Sequence, residues 1–154
     1  MRYAELFCQS NFSFLTGASS PEQLVSTAAS LGYQALALTD ECSVAGIVRA
    51  YRQINEQQLN IKLIVGSYFQ LDNLQLVLLC PDKAAYAELC RIITNARRRS
   101  SKGQYQLTPW DLMSVKHCLL LSCGSWQTVR PASKLICDAR QSRFWRCSTE
   151  AIST

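Results

Sequence analysis

Short apolar blocks, separated by polar and turn-forming residues, run along the first 123 positions and predict an ordered series of strands. The predicted strands cover residues 3–8, 35–38, 62–71, 74–80 and 117–123. The second strand, Ala35-Leu36-Ala37-Leu38, is apolar at every position, which is typical of a strand buried on both faces in a parallel sheet. Asp72-Asn73, between the third and fourth strands, favours a tight hairpin.

Helix signals alternate with these strands. Ser20-Pro21-Glu22-Gln23 places an N-cap serine before Pro at the first helical position and Gln at the third, so a helix is predicted from there to Gly32. Further helices are predicted from a Ser43 cap to about Gln57, from Asp82 into residues 97–99, and as a short turn at residues 108–111. Strands that alternate with helices indicate an α/β fold with a mostly parallel sheet or barrel.

The pattern ends near Gly124. Residues 125–154 follow neither the strand period nor the helix period, and we predict no regular element there. Two interpretations stay open, a disordered C-terminal tail and a frameshifted or recombined end. The predicted organisation is therefore a folded part at residues 1–123 and an irregular tail at residues 124–154.

Composition narrows the class of protein. With 154 residues, 48% hydrophobic and 18% charged, the chain can bury a core as a single domain and is not intrinsically disordered. No apolar run approaches the roughly 18 residues of a membrane span, and the N-terminus lacks a signal-peptide core. We therefore expect a cytoplasmic protein that does not enter a membrane.

The eight cysteines raise the question of a disulfide framework or a zinc site. No Cys-x-x-Cys occurs, and the closest pair, Cys118 and Cys123 beside His117, has a spacing that is weak evidence for zinc. His117 is expected at a strand edge or on the surface. We expect scattered, reduced cysteines that pack as small apolar residues.

Charge is distributed unevenly along the chain. Residues 1–90 carry five basic and eight acidic side chains, whereas residues 91–154 carry eleven basic and three acidic ones. Five basic residues cluster around the end of the third predicted helix, namely Arg91, Arg97, Arg98, Arg99 and Lys102. Three interpretations stay open: contact with nucleic-acid phosphates, contact with another domain, and a solvated face favoured by the helix dipole. Tyr105 and Trp110 are nearby and are candidates either for base stacking or for the core.

A family resemblance is carried by stretches spread over residues 1–123. They include residues 3–6 (YAEL), 10–15 (SNFSFL), 35–46 (ALALTDECSVAG), 62–67 (KLIVGS), 89–94 (LCRIIT) and 96–99 (ARRR). In this order they resemble the N-terminus of bacterial error-prone DNA polymerases, the C-family enzymes similar to the DNA polymerase III alpha subunit. The resemblance implies a polymerase-and-histidinol-phosphatase (PHP) domain, a distorted seven-stranded β/α barrel. About five of the seven strands are predicted here, so the expected fold is an incomplete PHP-type barrel.

The same resemblance implies where metal ligands stand in active PHP domains, at the carboxyl ends of barrel strands. The His-x-His pair falls on Phe7 and Gln9, an Asp-His pair on Asp40 and Glu41, and a later Glu on Tyr68. Phe has no lone pair to offer a metal, and Gln and Tyr are poor substitutes. We therefore expect no catalytic residue and no bound metal. Asp40 and Glu41 are expected in structural roles near a helix N-terminus, with Asp40 accepting backbone N–H bonds in the strand-to-helix turn.

The expected function follows from the resemblance. The palm, with its catalytic aspartates, is absent from these residues, so the chain is expected to be a non-catalytic scaffold for a polymerase body in translesion DNA synthesis and DNA repair. The parent family is a nucleotidyltransferase, with DNA and the polymerase body as partners. Two alternatives remain: a stand-alone phosphoesterase using Mn, Zn or Mg, and a small basic DNA-binding protein. Open sheet edges and exposed helix faces predict that the isolated chain self-associates.

Overall fold

The computed structural model describes residues 3–72, 74–123 and 144–146, and its elements follow the predicted alternation. The strands are β1 (Ala4–Cys8), β2 (Ala35–Leu38), β3 (Lys62–Leu71), β4 (Leu74–Cys80), β5 (Leu119–Cys123) and β6 (Phe144–Arg146). The helices are α1 (Pro21–Ser30), α2 (Ile47–Glu56), α3 (Lys83–Arg98) and α4 (Pro109–Met113). No helix in this part of the chain is long and apolar enough to cross a bilayer.

The described strands form one sheet whose spatial order follows the chain from β1 to β6. Neighbouring strands are parallel except around β4, which runs against both β3 and β5. Five strands therefore share one direction and only β4 is reversed, as the β3–β4 hairpin requires. The sheet curls without any described pairing between β6 and β1, so the expected incomplete barrel of the PHP type is confirmed.

Local capping explains where three of the helices begin. Ser20 accepts from the Gln23 amide while the Gln23 side chain accepts from the Ser20 amide, as predicted for α1. Asp82 Oδ1 accepts from the Ala85 amide at the start of α3, 2.8 Å away. The Asp111 carboxylate in turn accepts from the Thr108 amide at the start of α4.

The predicted start of α2 is wrong. The helix begins at Ile47, with Gly46 at its N-cap, rather than after Ser43. Ser43 is held elsewhere, because its amide donates to Ser67 Oγ at 3.1 Å and its hydroxyl accepts from the Ala45 amide at 3.2 Å. Those two contacts make a turn against β3, and the helix follows it.

The start of β5 and the tail also differ from the prediction. β5 begins at Leu119 rather than at His117, because the amides of residues 116–118 donate to the buried Glu88 carboxylate. β6 lies within residues 124–154, where we predicted no regular element, and its Phe144 pairs in parallel with Leu120 of β5. The remaining residues of that segment lie outside the described residues, so the irregular tail stays a prediction.

The helices bury one face of the sheet in two clusters. α1 and α2 cover β2, where Val25, Ala28 and Ala50 pack around Leu36 and Leu38. α3 covers the other half of the same face, where the packed residues are Phe69, Leu76, Leu78, Leu89, Ile92, Cys118 and Leu120. The opposite face carries a smaller apolar cluster around Ala37, Val77 and Leu79. The carboxyl ends of β1 and β2 lie side by side, and Glu41 after β2 lies beside Tyr68 of β3.

Candidate functional site at the carboxyl ends of β1, β2 and β3

The residues assigned to the vestigial metal positions do converge at this edge of the sheet. Phe7 lies near the end of β1, and its ring meets the Tyr68 ring edge-on, with centroids 5.6 Å apart. Glu41 follows β2 and forms a parallel bridge with Tyr68 of β3. Gln9, the first residue beyond β1, is half-buried. An aromatic pair thus occupies positions where the resemblance implies ligands.

Asp40 is the buried carboxylate of the site. It is only 1% exposed. Its Oδ1 accepts from the Ser10 amide at 2.7 Å and from the Ser13 hydroxyl at 2.8 Å, and its Oδ2 accepts from the Ser10 hydroxyl at 2.8 Å. We expected a backbone donor from the turn that leads into α2. The donor instead comes from the loop after β1, so Asp40 fastens that loop to β2.

Ser10 and Ser13 are site residues that sequence reasoning missed. Both are buried, and the Ser13 hydroxyl also accepts from the Glu41 amide at 3.0 Å. Gly17 lets the loop turn back on itself, since a Cβ there would lie 1.9 Å from the Ser10 carbonyl oxygen. The available signal was the Ser-x-x-Ser spacing directly after a strand, but nothing local links it to Asp40.

Glu41 is held by a second group of contacts. Its Oε1 accepts from the Tyr105 hydroxyl at 3.0 Å, and that hydroxyl accepts from the Gln70 amide at 2.8 Å. Burial and the neighbouring Glu41 carboxylate raise the pKa of Tyr105 above its usual value, so the phenol stays protonated and donates. Tyr105 is thus a half-buried packing residue at this site.

These residues do not fit a metal centre of the kind the resemblance implies. Among the described residues, no group of three His, Cys, Asp or Glu side chains is placed to hold a metal ion. The oxygens of Asp40 accept from Ser10 and Ser13, and Phe7 offers no donor atom. Burial also raises the pKa of the neighbouring Cys8 thiol to about 11, which keeps that sulfur protonated and a poor ligand.

The five basic residues around the end of α3 differ in their contacts. Arg97 points inward, where it donates to the carbonyl oxygens of Glu41 and Cys42 at 3.2–3.3 Å and lies over the Tyr105 ring. Arg99 forms a bidentate pair with the buried Asp111 carboxylate. Burial disfavours the charged form of Asp111. The pairing with Arg99 and the Thr108 donors nevertheless hold the pKa of Asp111 below its usual range.

The other three basic residues remain on the surface. Arg91, Arg98 and Lys102 are exposed. Arg91 and Arg98 are seven residues apart on α3 and therefore share one helix face. Arg97 and Arg99 thus make contacts within the chain, and contact of these five residues with nucleic acid or another domain stays a prediction.

Exposed apolar side chains near the site form a surface that we call the apolar rim. It consists of exposed side chains on β1 and the loop after it, namely Leu6, Phe7, Phe12, Phe14 and Leu15. Phe14 and Leu15 at its tip are 84% and 90% exposed, and Leu15 adopts a left-handed backbone with φ of 63°. Leu15 thus combines exposure with a backbone conformation that residues other than glycine rarely adopt, and the apolar rim is a candidate interaction surface.

Comparison with known proteins gives consistent results. The error-prone DNA polymerase of Vibrio vulnificus is 61% identical over 147 residues, which is 94% of this chain and 14% of that protein. The error-prone DNA polymerase of Vibrio campbellii is 69% identical over 122 residues, covering 79% of this chain and 12% of that protein. Among solved structures, an amidohydrolase from Chromobacterium violaceum is similar with a TM-score of 0.49 and 23% identity, over 62% of this chain and 33% of that one.

The chain therefore spans about one-seventh of the length of these polymerases, at the PHP region. The PHP domain family model matches residues 5–150, a range that includes the candidate site, the loop after β1 and all the described helices. This match extends beyond residue 123, where the resemblance recognised in the sequence stops. On this match, the chain belongs to the PHP domain family.

Proposed function

We propose that this chain serves as a non-catalytic PHP scaffold for the body of an error-prone DNA polymerase, in translesion synthesis during DNA repair in the cytoplasm. The observation that carries the proposal is that the residues at the vestigial metal positions bond to and pack against other residues of the chain. Asp40 accepts from Ser10 and Ser13, Glu41 accepts from Tyr105, and Phe7 packs on Tyr68. The side-chain oxygens of Asp40 and Glu41 at these strand ends are therefore used in hydrogen bonds within the chain.

The apolar rim is evidence that the proposed scaffold binds a partner. Phe14 and Leu15 together expose large apolar surfaces in the loop after β1. Arg49 of α2 lies 5.9 Å from the Phe12 ring and pairs with Glu22 of α1 at 2.7 Å, so Phe12 of the rim lies next to these two helices. An exposed apolar surface of this kind is suited to an interface with the rest of a polymerase.

The metal part of the proposal is tested by titrating Mn²⁺ and Zn²⁺ into the chain by calorimetry and assaying phosphate release from a generic phosphate ester. We expect no saturable uptake and no turnover. The matched control is the triple variant F7H/Q9H/Y68E, which restores the ligand types that the resemblance implies and is expected to take up metal. Tight uptake by the unaltered chain, with turnover lost in Asp40→Ala, would instead establish the stand-alone phosphoesterase.

The scaffold part is tested in trans. The V. vulnificus polymerase lacking its 147 matching residues is combined with this chain, and primer extension past an abasic site is measured. We expect extension to depend on the added chain and to fall when Phe14 and Leu15 are both changed to Ser. Full extension without the chain, or with the F14S/L15S variant, contradicts the scaffold role.

A further inference from the structure

Two cysteines lie opposite one another on neighbouring antiparallel strands. In the β4–β5 register Leu79 faces Leu119, so the next positions outward are Cys80, the last residue of β4, and Cys118, which directly precedes β5. Directly opposed residues in an antiparallel pair have Cα atoms about 4.5–5.5 Å apart and side chains on the same face. Disulfides form between Cα atoms about 4.4–6.8 Å apart, a range that includes the spacing of directly opposed residues.

The surroundings place both sulfurs on the same side of the sheet. Cys118 belongs to the buried cluster under α3, and Cys80 packs against that cluster. The two side chains are close enough for each to shift the pKa of the other. The Cys118 thiol itself donates to the Ala85 carbonyl oxygen, 3.2 Å away.

The two thiols are unequal, which gives each a separate role. Cys118 is 0% exposed, whereas Cys80 is only half-buried. The neighbouring Cys118 thiol lowers the pKa of Cys80, although burial opposes this shift. The Cys80 side chain and burial both raise the pKa of Cys118. Cys80 is therefore the nucleophile and Cys118 the resolving thiol.

We propose that Cys80 and Cys118 form a reversible redox site that a peroxide converts from a dithiol to a cross-strand disulfide. The Cys80 thiolate attacks one peroxide oxygen, so that an S–O bond forms, the O–O bond breaks and the departing hydroxide becomes water on protonation. The Cys118 sulfur then attacks Cys80, the S–O bond breaks, and the leaving hydroxide takes the Cys118 proton. Two thiols lose two electrons and one hydrogen peroxide becomes two waters.

The structural consequence is a covalent link between β4 and β5. β5 carries β6 on its other edge, so the link fastens the last two described strands to the hairpin. In a reducing compartment the pair rests as free thiols, and it closes only under oxidative conditions. This site lies under α3, away from the strand ends of the proposed scaffold, and does not depend on that function.

The test uses the full 154-residue chain, reduced and then treated with stoichiometric hydrogen peroxide. After the free thiols are blocked, peptide mapping is expected to find a Cys80–Cys118 disulfide that dithiothreitol removes. In Cys118→Ser we expect no such disulfide and a sulfenic acid at Cys80 that dimedone traps. Cys90→Ser removes a half-buried cysteine of α3 as the matched control, and it should form the disulfide as the unaltered chain does.

The mapping of the unaltered chain decides the outcome even if a variant fails to fold. The proposal is overturned if Cys80 and Cys118 both remain alkylatable after peroxide treatment. It is also overturned if either is found bonded to another cysteine. Oxidation of Cys80 to a sulfinic acid at the same rate with and without Cys118 would likewise rule out a resolving role.

Discussion

The hydroxyl of Ser13 donates to Oδ1 of Asp40 over 2.8 Å, and Ser13 Oγ accepts from the Glu41 amide over 3.0 Å. One buried hydroxyl thus joins the loop after β1 to two successive residues after β2. Metal-dependent members of a PHP-type barrel use such strand ends for chemistry, whereas here the same positions fix a loop. The Ser13 hydroxyl thus fastens to the end of β2 a loop whose tip is apolar and exposed.

Replacing Asp40 by Ala should destabilise the fold by about 2–4 kcal/mol, because Ser10 and Ser13 would be left with buried, unpaired donors. Urea unfolding measures this change. Glu56→Ala, which removes an exposed partner of Arg52, is the control and should cost less than about 0.5 kcal/mol. If a chelator lowers the melting temperature of the unaltered chain but not of Asp40→Ala, then Asp40 holds a metal and this account is wrong.

Gly17→Ala should disrupt the loop after β1, because the new Cβ would stand 1.9 Å from the Ser10 carbonyl oxygen and the backbone must shift. Gly32→Ala provides a comparison, since Gly32 has φ of 76° but open space around it and should cost only about 1 kcal/mol. Limited proteolysis should cut residues 9–19 in the Gly17 variant alone. Equal resistance of the two variants would contradict the steric argument.

Glu88 makes stability depend on pH. It is 3% exposed, and although burial disfavours its charge, the amides of residues 116–118 hold its pKa below the usual 4.5. A folded-state pKa below the unfolded one gives stability that is fully present above about pH 5. That stability declines as the pH falls through the unfolded value toward the folded one.

Glu88→Gln should therefore cost about 1–3 kcal/mol at pH 7 and flatten the loss of stability between pH 5 and pH 3. Urea unfolding at several pH values measures both effects. Glu56→Gln, at an exposed position, should leave the pH profile unchanged. A Glu88→Gln profile parallel to that of the unaltered chain would show that Glu88 does not set the pH dependence.

Arg97→Ala and Arg98→Ala should change the free energy of unfolding by different amounts, because Arg97 is bonded within the fold and Arg98 is exposed. Arg97→Ala should destabilise the fold by about 1–3 kcal/mol, because the Glu41 and Cys42 carbonyls lose their donor. Arg98→Ala should change stability by less than about 0.5 kcal/mol. If the surface residues contact phosphates, Arg98→Ala alone should reduce the salt dependence of DNA binding, as measured by fluorescence anisotropy.

Much of the fold was predictable because its signals are local. The Ser20–Gln23 capping box, the apolar Ala35–Leu38 strand and the β3–β4 hairpin each depend on neighbouring residues, and all three are confirmed. The placement of Asp40 at a strand end follows from the same pattern. These elements need no knowledge of partners far along the chain.

The contacts that decide the site lie between distant residues, and only the tertiary structure determined them. Ser43 bonds to Ser67 rather than capping α2, and Glu88 takes the amides that would otherwise extend β5. Arg97 points inward and donates to the carbonyl oxygens of Cys42 and Glu41, which are 55 and 56 positions away in the sequence. A side chain's partner depends on strand register and helix packing, which fix hydrogen bonds across the sheet and leave no trace in the local sequence.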